Sequence, residues 1–179
     1  MELCRDIAQK FNSDFKNEVF PVPEPLIQEN ISRVMSLRDG TKKMSKSDES
    51  NYSRIDLKDS ADEIIKKIKK AKSDSSSIPN SLKALTEKPE ALNLITIYAS
   101  LSNTSLDQAL NEVAGKEYSY LKNKLSEALV EVICPVGKEI NKILQEKSFL
   151  EKVLKEGTEK ASVIAERNLK EIKNVVGFF

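Results

Sequence analysis

Lys43, Met44, Ser45, Lys46 and Ser47 place two ammonium groups three positions apart, with small hydroxyl residues between and beside them. That combination suits a reaction in which negative charge builds on phosphate oxygens. When a carboxylate attacks the α-phosphorus of ATP, charge grows on the departing pyrophosphate. A mobile loop that brings two cations to that charge stabilises the transition state more than the ground state, and only such differential binding raises a rate. Ser45, Ser47 and the loop amides add neutral hydrogen bonds to phosphate oxygens. Closing only over bound ATP would couple recognition to chemistry. A P-loop is a different device: it needs G-x-x-x-x-G-K-[ST], and Gly40 has no second glycine before the Lys-Ser pair. By composition alone, a run of Lys and Ser is an ordinary solvated turn, so the neighbouring segments decide.

Composition removes several other chemistries. The 179 residues contain no histidine, which excludes a histidine general base, a Ser-His-Asp triad and any His metal ligand within them. Cys4 and Cys134 stand far apart with no C-x-x-C spacing, so they read as reduced thiols and no metal site is expected. Lys and Arg total 29 against 28 acidic residues, a net charge of +1, so any RNA contact has to come from local clusters of cations. The charged first residues, with no apolar run of about 18, argue against a secretory peptide or a membrane span and for a cytoplasmic protein, or one in an organelle matrix.

The elements that would position the loop follow from spacing. Leu3, Ile7, Ala8 and Phe11 form one helical stripe. Pro21, Pro23 and Pro25 force the next stretch to be extended. Ser32 to Leu37 is short and apolar enough for a buried strand, and the basic loop at 38–52 follows it directly. The remainder reads as helices. Ser60 with Glu63 makes a capping box ahead of an apolar stripe at Ala61, Ile64, Ile65, Ile68 and Ala71, with Lys66, Lys67 and Lys70 pointing away. A connection at 73–89 leads to a helix from about Pro89 to Leu101, and Ser105 with Gln108 opens another. A helix from Tyr118 to Ile133 should break or kink where Pro135 and Gly137 arrive. The last helix, about 149–176, should bury Leu150, Val153, Leu154, Ala161, Ile164, Ala165, Leu169, Ile172 and Val176, with Gly157 allowing a close helix approach.

Met35-Ser36-Leu37 through Thr41-Lys42-Lys43-Met44-Ser45-Lys46-Ser47-Asp48 resembles the signature loop of bacterial-type tryptophanyl-tRNA synthetases, class I enzymes built on a Rossmann fold. The resemblance extends to Leu3-Cys4-Arg5-Asp6-Ile7-Ala8, to Phe20-Pro21-Val22-Pro23-Glu24-Pro25, to Ile65-Lys66-Lys67-Ile68-Lys69-Lys70-Ala71 and to Glu156-Gly157-Thr158-Glu159-Lys160-Ala161. Other class I synthetases share the lysine loop, so these flanking segments carry the tryptophan assignment.

The resemblance implies a mainly α chain: the end of a Rossmann-like α/β catalytic domain with a parallel-sheet remnant at 1–57, then a helical anticodon-binding domain at 58–179. The last helix would pack back towards the catalytic domain. It implies ATP as a substrate, accompanied by Mg2+ and with no protein metal site, and Lys43 and Lys46 as catalytic residues. Val34 would lie beside the adenine, and Lys43, Met44, Ser45, Lys46 and Ser47 along the phosphates. L-tryptophan, tRNA(Trp) and a homodimer would be partners of the full-length enzyme, with Lys66, Lys67 and Lys70 as candidate tRNA contacts. One departure stands out, because the family's H-I-G-H-type motif needs histidines. That motif, the G-x-D-Q turn and most of the tryptophan pocket are therefore expected to precede Met1, making this chain a carboxy-terminal half that is inactive alone. The alternatives are a tRNA-binding helical module without catalysis and a helical interaction protein.

Overall fold

The computed structural model describes residues 1–26 and 33–178. The chain divides into two units, one made of Met1–Ile27 with Ile143–Phe179 and the other of Gln28–Lys142.

In the first unit, helix α1 (Glu2–Phe15) ends where Lys16 turns left-handed at φ 49°. The proline-rich stretch behind it is non-helical as expected, and α1 holds it by side chains. Asn12 donates to the Phe20 carbonyl at 2.7 Å and accepts the Phe20 amide at 3.0 Å. Arg5 donates to the Pro23 carbonyl at 2.5 Å and pairs with Glu24 at 2.9 Å. The Phe11 ring meets Phe20 edge-on, with centroids 4.9 Å apart. The last helix of the chain, Lys147–Val176, also belongs to this unit, and here the expected burial fails. None of its residues is buried, and Leu154 is 68% exposed. Gly157 likewise has no atom within 4 Å of where a Cβ would stand, so it marks no close helix approach. The amphipathic spacing is real, but of its apolar side only Leu150, Ile172 and Val176 are half-buried and the rest is exposed.

The second unit holds the hydrophobic core. Helices α2 (Ala61–Lys69), α3 (Leu82–Thr86), α4 (Pro89–Leu101) and α5 (Leu106–Val113) gather around the first part of α6 (Tyr118–Gln145); the Lys147–Val176 helix is then α7. Ile64, Ile68, Leu85, Leu94, Ile95, Leu121 and Leu125 are completely enclosed or nearly so. The expected capping box is present, with Ser60 and Glu63 exchanging bonds with each other's backbone amides at the start of α2, and Ser105 and Gln108, expected to open a helix, form a second one at α5. At the far end of α2, Lys122 of α6 donates to the carbonyls of Lys69 (3.3 Å) and Ala71 (2.7 Å), which the helix leaves without partners. Sequence spacing missed α3, a single turn inside the 73–89 connection; Ser81 caps it and Leu85 anchors it in the core.

Two further elements depart from expectation. Helix α6 runs on through Pro135 to Gln145, so the break, one of the two expectations there, does not occur. Proline removes one backbone bond, and Gly137 presses against the chain: a Cβ there would lie 2.7 Å from the Leu57 carbonyl oxygen. The expected strand is the other departure. Ser32 lies outside the described residues, and at 33–37 there is an isolated antiparallel bridge between Met35 and Lys43, with no strand among the described residues. Several backbone groups of this stretch find separate partners instead. The Ser36 amide donates to Lys42 (2.8 Å) and the Leu37 amide to Ser53 (2.9 Å), while Leu37's carbonyl accepts Lys72 (2.7 Å). The mainly helical architecture stands, with this hairpin in place of a sheet edge.

The contrast between core and α7 is measurable. Leu121→Ala should cost about 2–5 kcal/mol in chemical denaturation, as a cavity in a closed core does. Leu154→Ala should stay within about 0.5 kcal/mol, the range for surface changes. Comparable losses at both sites would show that α7's apolar side is covered.

Candidate functional site

The lysine loop begins in the second arm of a tight hairpin, and continues beyond that arm, away from the turn at 39–41. Residues 34–36 and 42–44 face each other: the Met44 amide donates to the Val34 carbonyl at 3.0 Å and the Ser36 amide to the Lys42 carbonyl at 2.8 Å. Met35, between them, bridges to Lys43. At the turn, Asp39 accepts the Thr41 amide at 3.0 Å and the Thr41 hydroxyl at 2.6 Å, which hold its carboxyl below the usual range. Lys42 stays near Asp39 at 3.6 Å.

Helix α4 grips the root of this hairpin from the core side. Asn93, 5% exposed, accepts the Met35 amide at 2.9 Å and donates to the Met35 carbonyl at 2.8 Å. Gly40 is packed so closely on the first turn of α4 that a Cβ would stand 2.5 Å from the Pro89 carbonyl carbon and from the Glu90 nitrogen. Glu90 pairs with Lys72 at 2.8 Å. The Lys72 ammonium, with help from the Gly40 amide, keeps the Glu90 carboxyl below its ordinary 4.5.

On the far side of the loop, Arg54 gathers three oxygens: the Asp48 carbonyl (3.0 Å), Asn51 Oδ1 (2.7 Å) and Asp56 Oδ1 (3.2 Å). Ser50 caps a short 3-10 turn at Asn51–Ser53. Met44 is the one residue of 43–47 that turns inward, packing against the core cluster. The rest of the loop is solvated. Ser45 and Ser47 share a hydroxyl hydrogen bond of 2.9 Å, and the Ser47 amide donates to Ser45 Oγ at 3.3 Å. Lys43 and Lys46 are exposed, and neither has an ion-pair partner among the described residues. Two bare ammonium groups on a loop that leaves a firmly rooted hairpin are therefore available to an anion.

The sequence candidates divide as follows. Val34 and residues 43–44 come together through the backbone. Lys66, Lys67 and Lys70 do not share one face. Lys66 and Lys70 are exposed, and the Lys70 ammonium lies 4.4 Å from the centroid of Tyr52. Lys67 is 7% exposed and bonded to Asp59 at 2.5 Å, with Asp56 at 3.6 Å. The expectation that it points away is thus corrected: counted from Ile64, position 67 falls on the buried stripe. Among the described residues no cluster of His, Cys, Asp and Glu could hold a metal ion, and no helix is long and apolar enough to cross a membrane.

Sequence reasoning missed Asn93, Gly40, Glu90, Lys72 and Arg54 as parts of the site. Only Asn93 left a local signal, a polar residue set among Leu92, Leu94 and Ile95.

Known proteins place these features in context. Residues 1–134 match the family model for tRNA synthetases class I (W and Y). A tryptophan–tRNA ligase of Caulobacter vibrioides is 46% identical over 180 residues, covering 100% of this chain and 52% of that protein. The structure of tryptophanyl-tRNA synthetase from Mycoplasma pneumoniae superimposes with a TM-score of 0.78 at 30% identity, covering 99% of this chain and 55% of that one. That of tryptophanyl-tRNA synthetase from Campylobacter jejuni, complexed with ADP and tryptophan, gives 0.64 at 26% identity, covering 98% and 53%. The chain spans about half the length of the curated relatives it matches.

The rooting of the hairpin carries a pH dependence. Glu90's carboxyl is held below 4.5, so its pairing contributes stability above that pH and loses it as the pH falls through the lowered value. Glu90→Gln should flatten the acid limb of the stability profile below about pH 4.5, read by urea denaturation at stepped pH. An unchanged acid limb would show that Glu90 does not hold the root.

Proposed function

Because the chain belongs to the class I tRNA synthetases of the W and Y family, we propose that it supplies the pyrophosphate-stabilising loop and the tRNA-binding helices of a tryptophan–tRNA ligase. In the first step the tryptophan carboxylate oxygen bonds to the α-phosphorus of ATP, and the bond from that phosphorus to the pyrophosphate oxygen breaks. In the second, the tryptophanyl group passes to a terminal ribose hydroxyl of tRNA(Trp), and AMP leaves. The observation that carries this reading is the pair of exposed, unpartnered ammonium groups of Lys43 and Lys46 on a loop that leaves a hairpin rooted in the core.

Each residue has a part in the first step. Lys43 and Lys46 neutralise the charge that grows on the β- and γ-phosphates, where stabilisation is worth most. Ser45 and Ser47, now bonded to each other at 2.9 Å, exchange that bond for phosphate oxygens. Met44 anchors the loop while Val34, joined to it through the backbone, sits beside the adenine. Mg2+ arrives with ATP as part of the substrate.

The structure of the Campylobacter jejuni relative is complexed with ADP and tryptophan, which supports an adenine nucleotide and tryptophan as ligands here. Residues 1–57 read as the end of a Rossmann catalytic domain and 58–179 as the anticodon-binding part, with the remaining half of the catalytic site, and a homodimer, supplied by a longer protein in the cytoplasm.

A chimera tests the catalytic reading: residues 1–179 replace the matched segment of the Caulobacter vibrioides ligase, and tryptophan-dependent pyrophosphate exchange is measured. The chimera should be active and the 179-residue chain alone should not be. Lys43→Ala and Lys46→Ala should each lower kcat on the order of 100-fold. An active chimera indifferent to both substitutions would retire the loop assignment.

For tRNA, Lys66 and Lys70 are the exposed candidates, whereas Lys67 serves the fold through Asp59. Replacing Lys66 and Lys70 by Ala should weaken tRNA binding and make the slope of log K against log salt shallower by up to about 2, one for each phosphate that is no longer neutralised. An identical slope would assign these lysines to the solvated face of α2.

A further inference from the structure

Asn93 stands in the most buried helix of the core, with Leu92 before it and Leu94 and Ile95 after it. A side-chain amide in that setting must be satisfied in full or it destabilises the fold. Both of its polar atoms go to one residue, Met35, 58 positions away: Oδ1 accepts the Met35 amide and Nδ2 donates to the Met35 carbonyl. An Asn side chain used in this way imitates one residue of a neighbouring strand. It supplies the lateral pairing that the isolated Met35–Lys43 bridge otherwise lacks.

The direction of the chain gives this clamp its leverage. Across the bridge from Met35 is the backbone of Lys43, and the Met44–Val34 and Ser36–Lys42 hydrogen bonds flank it on either side. The turn of the same hairpin rests on the first turn of α4, where Gly40 meets Pro89 and Glu90 without room for a Cβ. One helix therefore holds the hairpin at two places, its root through Asn93 and its turn through Pro89 and Glu90. The lysine loop beyond the second arm, residues 45–47, is left to the solvent.

We propose that Asn93 is a positioning residue for adenylate formation: by fixing both polar groups of Met35 it sets where Lys43 and Lys46 stand when the loop closes on the phosphates. The inference rests on the reading of residues 43–47 as the pyrophosphate-stabilising loop. A closing loop transmits binding energy to the reacting phosphorus only if its root does not yield, and a displacement of about 1 Å in such a site costs on the order of 100-fold in rate. A purely structural Asn93 would instead lower stability without acting through the two lysines.

A double-mutant cycle in the chimera separates the two roles. Four forms are compared: the parent, Asn93→Ala, Lys43→Ala with Lys46→Ala, and all three substitutions together. Asn93→Ala should lower kcat/KM for ATP by about 100-fold in the parent and leave the KM for tryptophan unchanged. In the lysine-free background the same substitution should cost less than about two-fold, because nothing remains for it to position. Equal losses in both backgrounds, or a loss confined to the KM for tryptophan, would overturn the proposal. Where Asn93→Ala fails to fold by circular dichroism and gel filtration, Asn93→Asp enters the same cycle with the same criteria; it keeps an acceptor for the Met35 amide and removes the donor to its carbonyl. Full activity of the Lys43/Lys46 double variant would overturn the loop reading and this inference together. Loss there, with an additive effect of Asn93, would overturn this inference alone.

Discussion

Burying an amide side chain among leucines and isoleucines costs roughly 2–7 kcal/mol when it finds no partner, and Asn93 escapes that cost through the Met35 backbone alone. The dependence runs both ways. Met35 and its neighbours form one bridge of an antiparallel hairpin, and a lone hairpin is marginal in water. The hairpin therefore keeps its shape because the core keeps α4 in place. Leu94 and Ile95 sink into that core while Asn93, on the same helix, reaches across to the loop root. The geometry of the most exposed residues in the site thus derives from some of the most buried ones.

Several lysines of the second unit are neutralised by neighbouring carboxylates, and among the described residues the two of the loop are not. Lys67, Lys72, Lys88 and Lys124 all have carboxylate partners, and Asp74 is held at about 2 by Lys88 and Ser76. Lys43 and Lys46 have none among the described residues. Two like charges in a short loop repel modestly in water, and the repulsion is screened within about 10 Å at ordinary salt. When an anion excludes that water, the same charges interact several times more strongly. The loop is consequently poor at internal bonding and well suited to a ligand with several negative oxygens. Ser45 and Ser47, paired only with each other, fit the same pattern.

Much of this was legible in the residues. The loop at 43–47, the capping boxes at Ser60 and Ser105 and the start of α4 at Pro89 are local signals, and the structure shows each element where its signal lies. What escaped was tertiary. The Asn93–Met35 clamp joins residues 58 apart, and no local pattern names its partner. Lys67 reads as a surface lysine by type, although its position three after Ile64 places it on the buried stripe, where Asp56 and Asp59 meet it. Pro135 reads as a break or a kink, and α6 runs through it unbroken to Gln145. The apolar stripe of α7 has the right spacing for burial and is nevertheless mostly exposed, because periodicity describes the face of a helix and not what covers it.

At the centre of the account is the claim that Lys43 and Lys46 act on the transition state more than on bound ATP. Single-turnover adenylate formation in the chimera, with ATP affinity measured separately, addresses that claim directly. Lys46→Ala should lower the rate of the chemical step on the order of 100-fold while the Kd for ATP moves little. A Kd that rises in proportion while the chemical step keeps its rate would contradict it, and would make the loop a binding device for ATP.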